Sequence, residues 1–541
     1  MSDATTGKAK KTPPAPLPEF DEETYLRLNP DVLVAVAEGK FRSAREHYEH
    51  YGRAEGRLAV ALRDLPRDRV IVTARPGGAA EAPHAPAGAV DTIKLSSAGG
   101  LFVAGWINDS LDRLDTVELY VAGWSIAFSA SGLARVRRPD AETVVGLHLP
   151  CALGFWGFVY AGQRLPAGKC NAVIRLKSGV ELITIVNIEF LDDLELRGTV
   201  LHHLAAAHYP GPASFNAASS ISQTIGTQLV DFSQMLTRKV VSAPYVERFH
   251  QDGRAPKASV ITCLYGKPDF LTLQQALFAG QAGAEDYEFI YVCNSQNLAE
   301  ALLKEAAIAR LVYGLDITLI LLGANAGLAA ANNLGAAHAR AKRLIFMNPD
   351  VFPKDAAFAS RHLALSEDLP AAQTDIFGAA LYYDDGSLMH AGMYFETETM
   401  PGFTLGKKED ACLLCLEHYG KGAPPKDVAL LRPRAVPAVS GAFISMNRAW
   451  FEELEGFSQD YIFGQYEDAD LCLRSLEAGR PAWLLSLPLY HLEGAGSVRH
   501  KVHEGAAAVN RWLFTQNWLE PVSAALLGPN PAHPALAEAA P

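Results

Sequence analysis

The chain has 541 residues, 49% of them hydrophobic and 20% charged, with a formal net charge of −12. This length implies three or four domains, and the composition is ordinary for a globular chain. The acidic balance excludes a general nucleic-acid binder, which needs a basic face, but leaves anionic small molecules open because one metal ion reverses the local field.

In chain order, residues 1–16 read as a disordered tail, and no apolar core suggests a signal peptide. Residues 17–62 carry a small helical module, with Tyr25, Leu26, Leu28, Val32, Leu33, Val36 and Phe41 at helical spacing and Asn29-Pro30-Asp31 at a helix start. The Pro- and Gly-rich stretch 63–88 reads as a linker. From 89 to 195 the period changes to two, as in Val117–Val121 and Asn171–Leu176, and a β-sandwich of roughly seven or eight strands is expected. Its Trp106, Trp124 and Trp156 read as core rather than as a sugar platform. Residues 196–255 read as a helical connector.

Beyond it, strands and helices alternate. Ser259–Tyr265, Phe289–Ser295, Ile317–Leu322 and Leu344–Met347 are short apolar runs ended by polar turns, the pattern of a parallel sheet with right-handed crossovers. The fourth run ends in Asn348-Pro349-Asp350, which brings a carboxylate to the edge where open α/β sheets bind ligands. No Gly-x-Gly-x-x-Gly and no Walker lysine follow the first strand, which argues against a dinucleotide or P-loop site. This α/β domain is expected over 256–520, with 521–541 as a tail.

Two uncharged stretches, Gly198–Val230 and Ile317–Ala339, are long enough to span a bilayer, but prolines and histidines break the first and glycines and asparagines the second. No transmembrane segment is expected. Seven cysteines lack framework spacing, and Cys412-x-x-Cys415 reads as one face of a helix. The expected setting is reducing and cytoplasmic, with peripheral contact at the inner face of the membrane left open.

Several pieces in fixed order resemble the family 2 glycosyltransferases, over about 257–500. They are the first strand with Tyr265, Asn325-x-Gly327…Asn333-x-Gly335, Asn348-Pro349-Asp350, Ser440-Gly441-Ala442-Phe443, Glu467-Asp468-Ala469-Asp470…Arg474, and His491 followed by Ser497. The N-terminal module is similar to a short segment found beside bacterial sugar-transferase domains. The resemblance implies a GT-A fold (a Rossmann-like mixed α/β sheet) preceded by the accessory domains, and an inverting transfer from a nucleotide-diphosphate sugar to a glycan, lipid-linked or protein acceptor. The setting it implies is bacterial surface polysaccharide biosynthesis, with a lean towards rhamnosyltransferase relatives.

It further implies that Asp350 and His491 hold Mg²⁺ or Mn²⁺ and that Asp468 is the catalytic base, with Glu467 beside it. Tyr265, Asn294, Asn325, Gly327, Asn333, Asn348 and Asp350 fall at donor-binding positions. Tyr461, Phe463, Tyr466 and Trp483 are candidates for the acceptor side. Asp470 and Arg474, four apart, read as a structural pair. One departure stands out: Cys293-Asn294 replaces the usual base-binding aspartate, leaving the amide oxygen of Asn294 as the candidate acceptor. Two competing classes are a catalytically silent carbohydrate-binding or scaffold protein on the same fold, and a nucleotidyltransferase.

Overall fold

The structure is a computed structural model. It describes residues 87–533 apart from 110–111, 122, 146–151, 167, 207–220, 222–224, 251–252, 401–410, 425–429, 497 and 499, together with 22, 25–26, 30–37, 39–52, 71–73 and 536. The expected 1–16 tail and Ser497 lie outside these residues. The chain divides into two compact units, 1–157 with 163–191, and 158–162 with 192–541.

The first unit contains α1 (Pro30–Ala37) and α2 (Ala44–His47). Pro30 opens α1, as its fixed φ favours. Tyr25, Val32 and Ala44 form the small core there, and Tyr25 Oη bonds His47 Nδ1 at 3.0 Å. Apart from a short helix at Pro139–Val145, the rest described is mainly β-structure: β1 (Ile71–Thr73), β2 (Ala87–Ser96), β3 (Gly100–Asn108), β4 (Leu114–Val121), β5 (Trp124–Ser129), β6 (Ala134–Val136), β7 (Gly154–Tyr160), β8 (Lys169–Leu176) and β9 (Glu181–Leu191). The strands run in the order β5-β4-β8-β9-β2-β3-β7-β6. Long β9 joins the two halves, pairing with β8 through Glu181–Asn187 and with β2 through Ile188–Leu191. Residues 71–73, inside the expected linker, instead form a strand parallel to β9. Trp156 is fully buried and stacks on Phe102, so it is core.

The second unit is a mixed α/β sheet. Its strands are β10 (Tyr245–Phe249), β11 (Ala258–Leu264), β12 (Tyr287–Cys293), β13 (Asp316–Leu321), β14 (Arg343–Met347), β15 (Val351–Pro353), β16 (Ile376–Tyr382), β17 (Leu388–His390), β18 (Met393–Met400), β19 (Ala411–His418), β20 (Arg434–Val436), β21 (Phe443–Asn447) and β22 (Ala482–His491). The main order is β10-β13-β12-β11-β14-β21-β16-β22-β15, and β18 and β19 form a separate ribbon. Strands β11 to β14 are parallel.

Helices cover both faces: α3 (Asp193–Ala205), α4 (Gly226–Val241), α5 (Phe270–Ala279), α6 (Ala299–Tyr313), α7 (Leu328–His338), α8 (Phe358–Asp368), α9 (Glu467–Glu477) and α10 (Lys501–Ala525). That double cover explains the unbroken apolar runs. Ile261 and Phe346 enter one core, while Val260 and Ile345 enter the other. At the opposite ends of the strands, buried Glu288 and Asp316 are both held by Arg340, at 2.6 and 2.8 Å.

Three sequence expectations change. The 196–255 stretch is not a separate connector: β10 pairs with β13, and α3 packs against α10 so closely that a Cβ at Gly505 would meet the Leu201 carbonyl oxygen at 1.9 Å. The tail expected from 521 begins later, because α10 continues to Ala525 through Pro521. Cys412 and Cys415 lie on a strand, not a helix, so their spacing of three sends them to opposite faces. Among the described residues no helix is long and apolar enough to cross a membrane.

Candidate functional site

Strand order sets the site. From β11 the sheet continues to β12 and β13 on one side and to β14 on the other, so a crevice opens beyond the carboxyl ends of β11 and β14. A cavity of about 900 Å³ lies there. Tyr265, Asn294, Asn325, Asn348, Asp350, Glu467, Asp468 and His491 all line it.

Register brings the distant pieces together. Strand β15 pairs with β22 so that Val351 opposes His491, and the Leu492 amide donates to the Asp350 carbonyl at 2.9 Å. Asp350 Oδ1 then stands 3.4 Å from His491 Nε2. Asp350 Oδ2 accepts from the Gly496 amide at 2.7 Å, an approach open only to glycine, since a Cβ at 496 would lie 2.9 Å from the Asp350 carboxyl carbon. On the other side of the ring, His491 Nδ1 lies 3.1 Å from Met389 Sδ, which can only accept. With an Nδ1–H directed at that sulfur, Nε2 and the carboxylate oxygen could hold a cation between them, and one oxygen beside one nitrogen suits a divalent ion such as Mg²⁺ or Mn²⁺. Among the described residues no group of three or more His, Cys, Asp or Glu side chains is placed to hold a metal ion, so water and phosphate oxygens would complete the coordination.

Antiparallel pairing of β14 with β21 sets Ala442 beside Asn348, whose amide donates to the Ala442 carbonyl at 3.0 Å. The preceding amide, Gly441, donates to Asp468 Oδ2 at 2.7 Å, and Asp468 Oδ1 accepts from the Ala469 amide at 2.8 Å. Asp468 and Glu467 occupy the first turn of α9, where the helix dipole favours an anion. Burial nevertheless raises both carboxyls. Glu467 is pushed up to about 8 by burial and then by the Asp468 charge, and its Oε2 is buried with no hydrogen-bond partner among the described residues. Asp468 is raised as well, by burial, while its two backbone amides pull it back down. The two backbone amides thus favour the negative charge on Asp468, and burial without a partner favours the protonated form of Glu467.

The segment before α9 is strained: Phe463, Gln465 and Tyr466 have φ of 63°, 85° and 73°. Two side chains hold it. Asn510, fully buried on α10, accepts from the Ile462 amide at 2.7 Å and donates to the carbonyls of Ile462 and Gly464 at 2.9 and 2.7 Å. The Arg197 guanidinium on α3 lies 4.6 Å from the Phe463 ring centroid. Of the four acceptor-side candidates only Phe463 lines the cavity. Tyr461 is buried against Asp470, Tyr466 packs on Phe514, and Trp483 belongs to the core of the other face. Asp470 and Arg474 form the expected structural pair at 2.8 Å.

Two donor-binding expectations, for Asn333 and Gly327, are corrected, and Asn294 has a second task. Asn294 lines the cavity, and its oxygen accepts from the Ala326 amide at 3.1 Å while its nitrogen donates to the Gly327 carbonyl at 3.1 Å. It thereby ties two loops together. Asn333 brackets Phe457 through both backbone groups, at 2.8 and 2.9 Å, away from the cavity. Gly327 caps α7 and does not line the cavity either. The sequence reading missed His418, His500, Lys501 and His503, which all line it. The run Arg499-His500-Lys501-Val502-His503 directly after the Gly-rich loop was a usable signal for three of them. His418 had none.

Comparisons with known proteins find partial likenesses. The uncharacterised protein y4gI of Sinorhizobium fredii (strain NBRC 101917 / NGR234) is 28% identical over 183 residues, which is 34% of this chain and 19% of that protein. The chain thus spans about a fifth of the curated relative it matches. Among solved structures, GalNAc-T7 with UDP, GalNAc and Mn²⁺ aligns at 15% identity and TM-score 0.34, over 51% of this chain and 52% of that one. The mannosyltransferase PcManGT of Pyrobaculum calidifontis, with GDP-Man and Mn²⁺, aligns at 12% identity and TM-score 0.31, over 61% and 85%. TarS of S. aureus with UDP aligns at 13% identity and TM-score 0.30, over 48% and 65%. Residues 259–414, within the second unit, match the model of Glycosyl transferase family 2.

Proposed function

We propose that this chain is a metal-dependent, inverting glycosyltransferase that moves a sugar from a nucleotide-diphosphate sugar to a hydroxyl of a glycan, lipid-linked or protein acceptor in bacterial surface glycan synthesis. The observation that carries the reading is the Asp350–His491 pair sharing one cavity with Asp468. A divalent cation bound there would neutralise charge on the departing diphosphate. Asp350 and His491 hold it, with the Gly496 amide fixing the carboxylate. Asp468, the ionised member of its pair, accepts the proton of the attacking hydroxyl. The hydroxyl oxygen bonds to the anomeric carbon as the bond to the diphosphate breaks, and the nucleoside diphosphate leaves with the electron pair. One displacement of this kind inverts the anomeric centre. The resemblance of the sequence motifs, rather than the cavity, supports the surface-glycan setting and the rhamnosyltransferase lean.

One observation favours the silent carbohydrate-binding alternative: the side chain of Asn294, at the usual base-recognition position, already bonds the Gly327 carbonyl and the Ala326 amide. Titration of UDP-, dTDP- and GDP-sugars with and without Mn²⁺, followed by product analysis, separates the two. Metal-dependent binding with an inverted product supports the transferase. Metal-independent glycan binding without turnover supports the alternative.

A further inference from the structure

His390 ends β17 and His418 ends β19, and their Nδ1 atoms lie 2.9 Å apart. Two nitrogens at that distance share one proton, and the surroundings decide which ring owns it. The Nε2 of His390 faces two backbone amides, Gly392 at 3.1 Å and Ser440 at 3.3 Å. An N–H can only donate, so His390 Nε2 must be bare and its proton sits on Nδ1. His390 is almost wholly buried, which holds it well below the usual histidine range and keeps it neutral. His418 Nδ1 is then the acceptor, and the proton of neutral His418 is confined to Nε2. Among the described residues no protein acceptor is paired with that Nε2–H, while the ring lines the cavity with Asp468 and Glu493 as its acidic neighbours and Lys421 and His491 as the other charged or titratable ones.

Ser440 also begins the turn whose next amide, Gly441, holds Asp468. One backbone segment thus fixes both the tautomer of the histidine pair and the carboxylate of the base.

We infer that His418 is a specificity-determining residue for the acceptor: a permanent hydrogen-bond donor that takes the oxygen next to the attacked hydroxyl and so sets which hydroxyl reaches Asp468. A donor that cannot accept selects an oxygen lone pair, and its acidic neighbours disfavour a carboxylate or phosphate there. The ligand group this fits is a neutral oxygen of a saccharide, vicinal to the hydroxyl that is glycosylated. The inference rests on the transferase reading above and deepens it. The proton of the attacked hydroxyl still passes to Asp468, and His418 exchanges none.

The test has two arms on the full chain. In the first, two-bond ¹H–¹⁵N couplings are recorded on ¹⁵N-histidine-labelled protein, with His418→Gln and His390→Gln used for assignment. His418 as the Nε2–H form and His390 as the Nδ1–H form are expected, and the reverse pairing overturns the inference. In the second, methyl pyranosides serve as acceptors with UDP-, dTDP- and GDP-sugars. His418→Phe is expected to raise the acceptor KM about tenfold or more with kcat within about threefold, and His418→Gln, which keeps an N–H donor, to recover most of the loss. An active wild type with an unchanged KM in His418→Phe overturns this inference alone. A wild type inactive with every donor overturns the transferase reading and this inference with it.

Discussion

Asp350 Oδ1 faces His491 Nε2 at 3.4 Å, with the other carboxylate oxygen tied to the Gly496 amide and the other ring nitrogen tied to Met389. Oδ1 and Nε2 are thus the two atoms left to share a ligand between them. Asp350→Ala is expected to abolish metal-dependent donor binding and transfer, and His491→Ala to weaken them. The tetrapeptide Asn-Pro-Asp-Val also occurs at residues 29–32, and there it begins a helix instead of following a strand. Asp31→Ala should therefore leave donor binding intact and change stability by no more than about 1 kcal/mol. Calorimetric titration with and without Mn²⁺ checks all three variants, and surviving metal dependence in Asp350→Ala would move the metal elsewhere.

Asp468 is held by two backbone amides, and an asparagine there keeps the size of the side chain and one of these two bonds while losing the ability to take a proton. Asp468→Asn is expected to lower transfer by about two to four orders of magnitude with donor affinity changed no more than a few-fold. Near-normal turnover in this variant removes Asp468 from the mechanism.

Glu467 supplies a pH signature. Its folded value is raised, to about 8, above its ordinary 4.5, so the protonated form stabilises the fold. That contribution is complete below about pH 4.5 and is lost as the pH rises towards 8. Glu467→Gln mimics the neutral acid and removes the loss. Thermal unfolding should show the variant close to wild type near pH 5 and more stable by about 5 °C near pH 9. Parallel pH profiles for the two proteins would show that Glu467 ionises normally.

The positive-φ segment Phe463–Tyr466 persists because Asn510 and Arg197 hold it from two helices. Asn510→Ala leaves buried backbone groups unpaired and is expected to cost about 2–4 kcal/mol in denaturant unfolding. It should also raise the acceptor KM, because Phe463, Gly464 and Gln465 line the cavity. An unchanged unfolding midpoint would mean that water replaces the amide without loss.

Strand β10 and helix α3 complete the second unit, so a fragment of residues 192–533 is expected to unfold in one cooperative transition. The shorter fragment 256–520 exposes the edge of β13 and the α3 face of α10, and should aggregate or melt lower. Equal melting of the two fragments would return the 192–255 stretch to the role of a connector.

What the sequence determined by itself was whatever is written in consecutive residues. Apolar runs bounded by turns located β11 to β14 because strands buried on both faces must be apolar throughout. A carboxylate directly after such a run, as at Asp350, inherits its position from the strand, and Glu467-Asp468 inherits its own from a helix start. These local rules sufficed for the sheet and for the acids at its edge. Tertiary structure alone decided what each polar group does with its lone pairs. Asn294 shows in sequence only its place after a strand, and the fold adds its bonds to the Ala326 amide and the Gly327 carbonyl. Asn333 looked like a ligand until Phe457 claimed both ends of its amide. His390 and His418 carried no signal at all, because their shared tautomer depends on contacts between residues distant in the chain, His390 with His418 and with the Ser440 amide. Hydrogen bonds are directional and saturable, and their partners here lie far apart in the chain, so only the folded register could assign them.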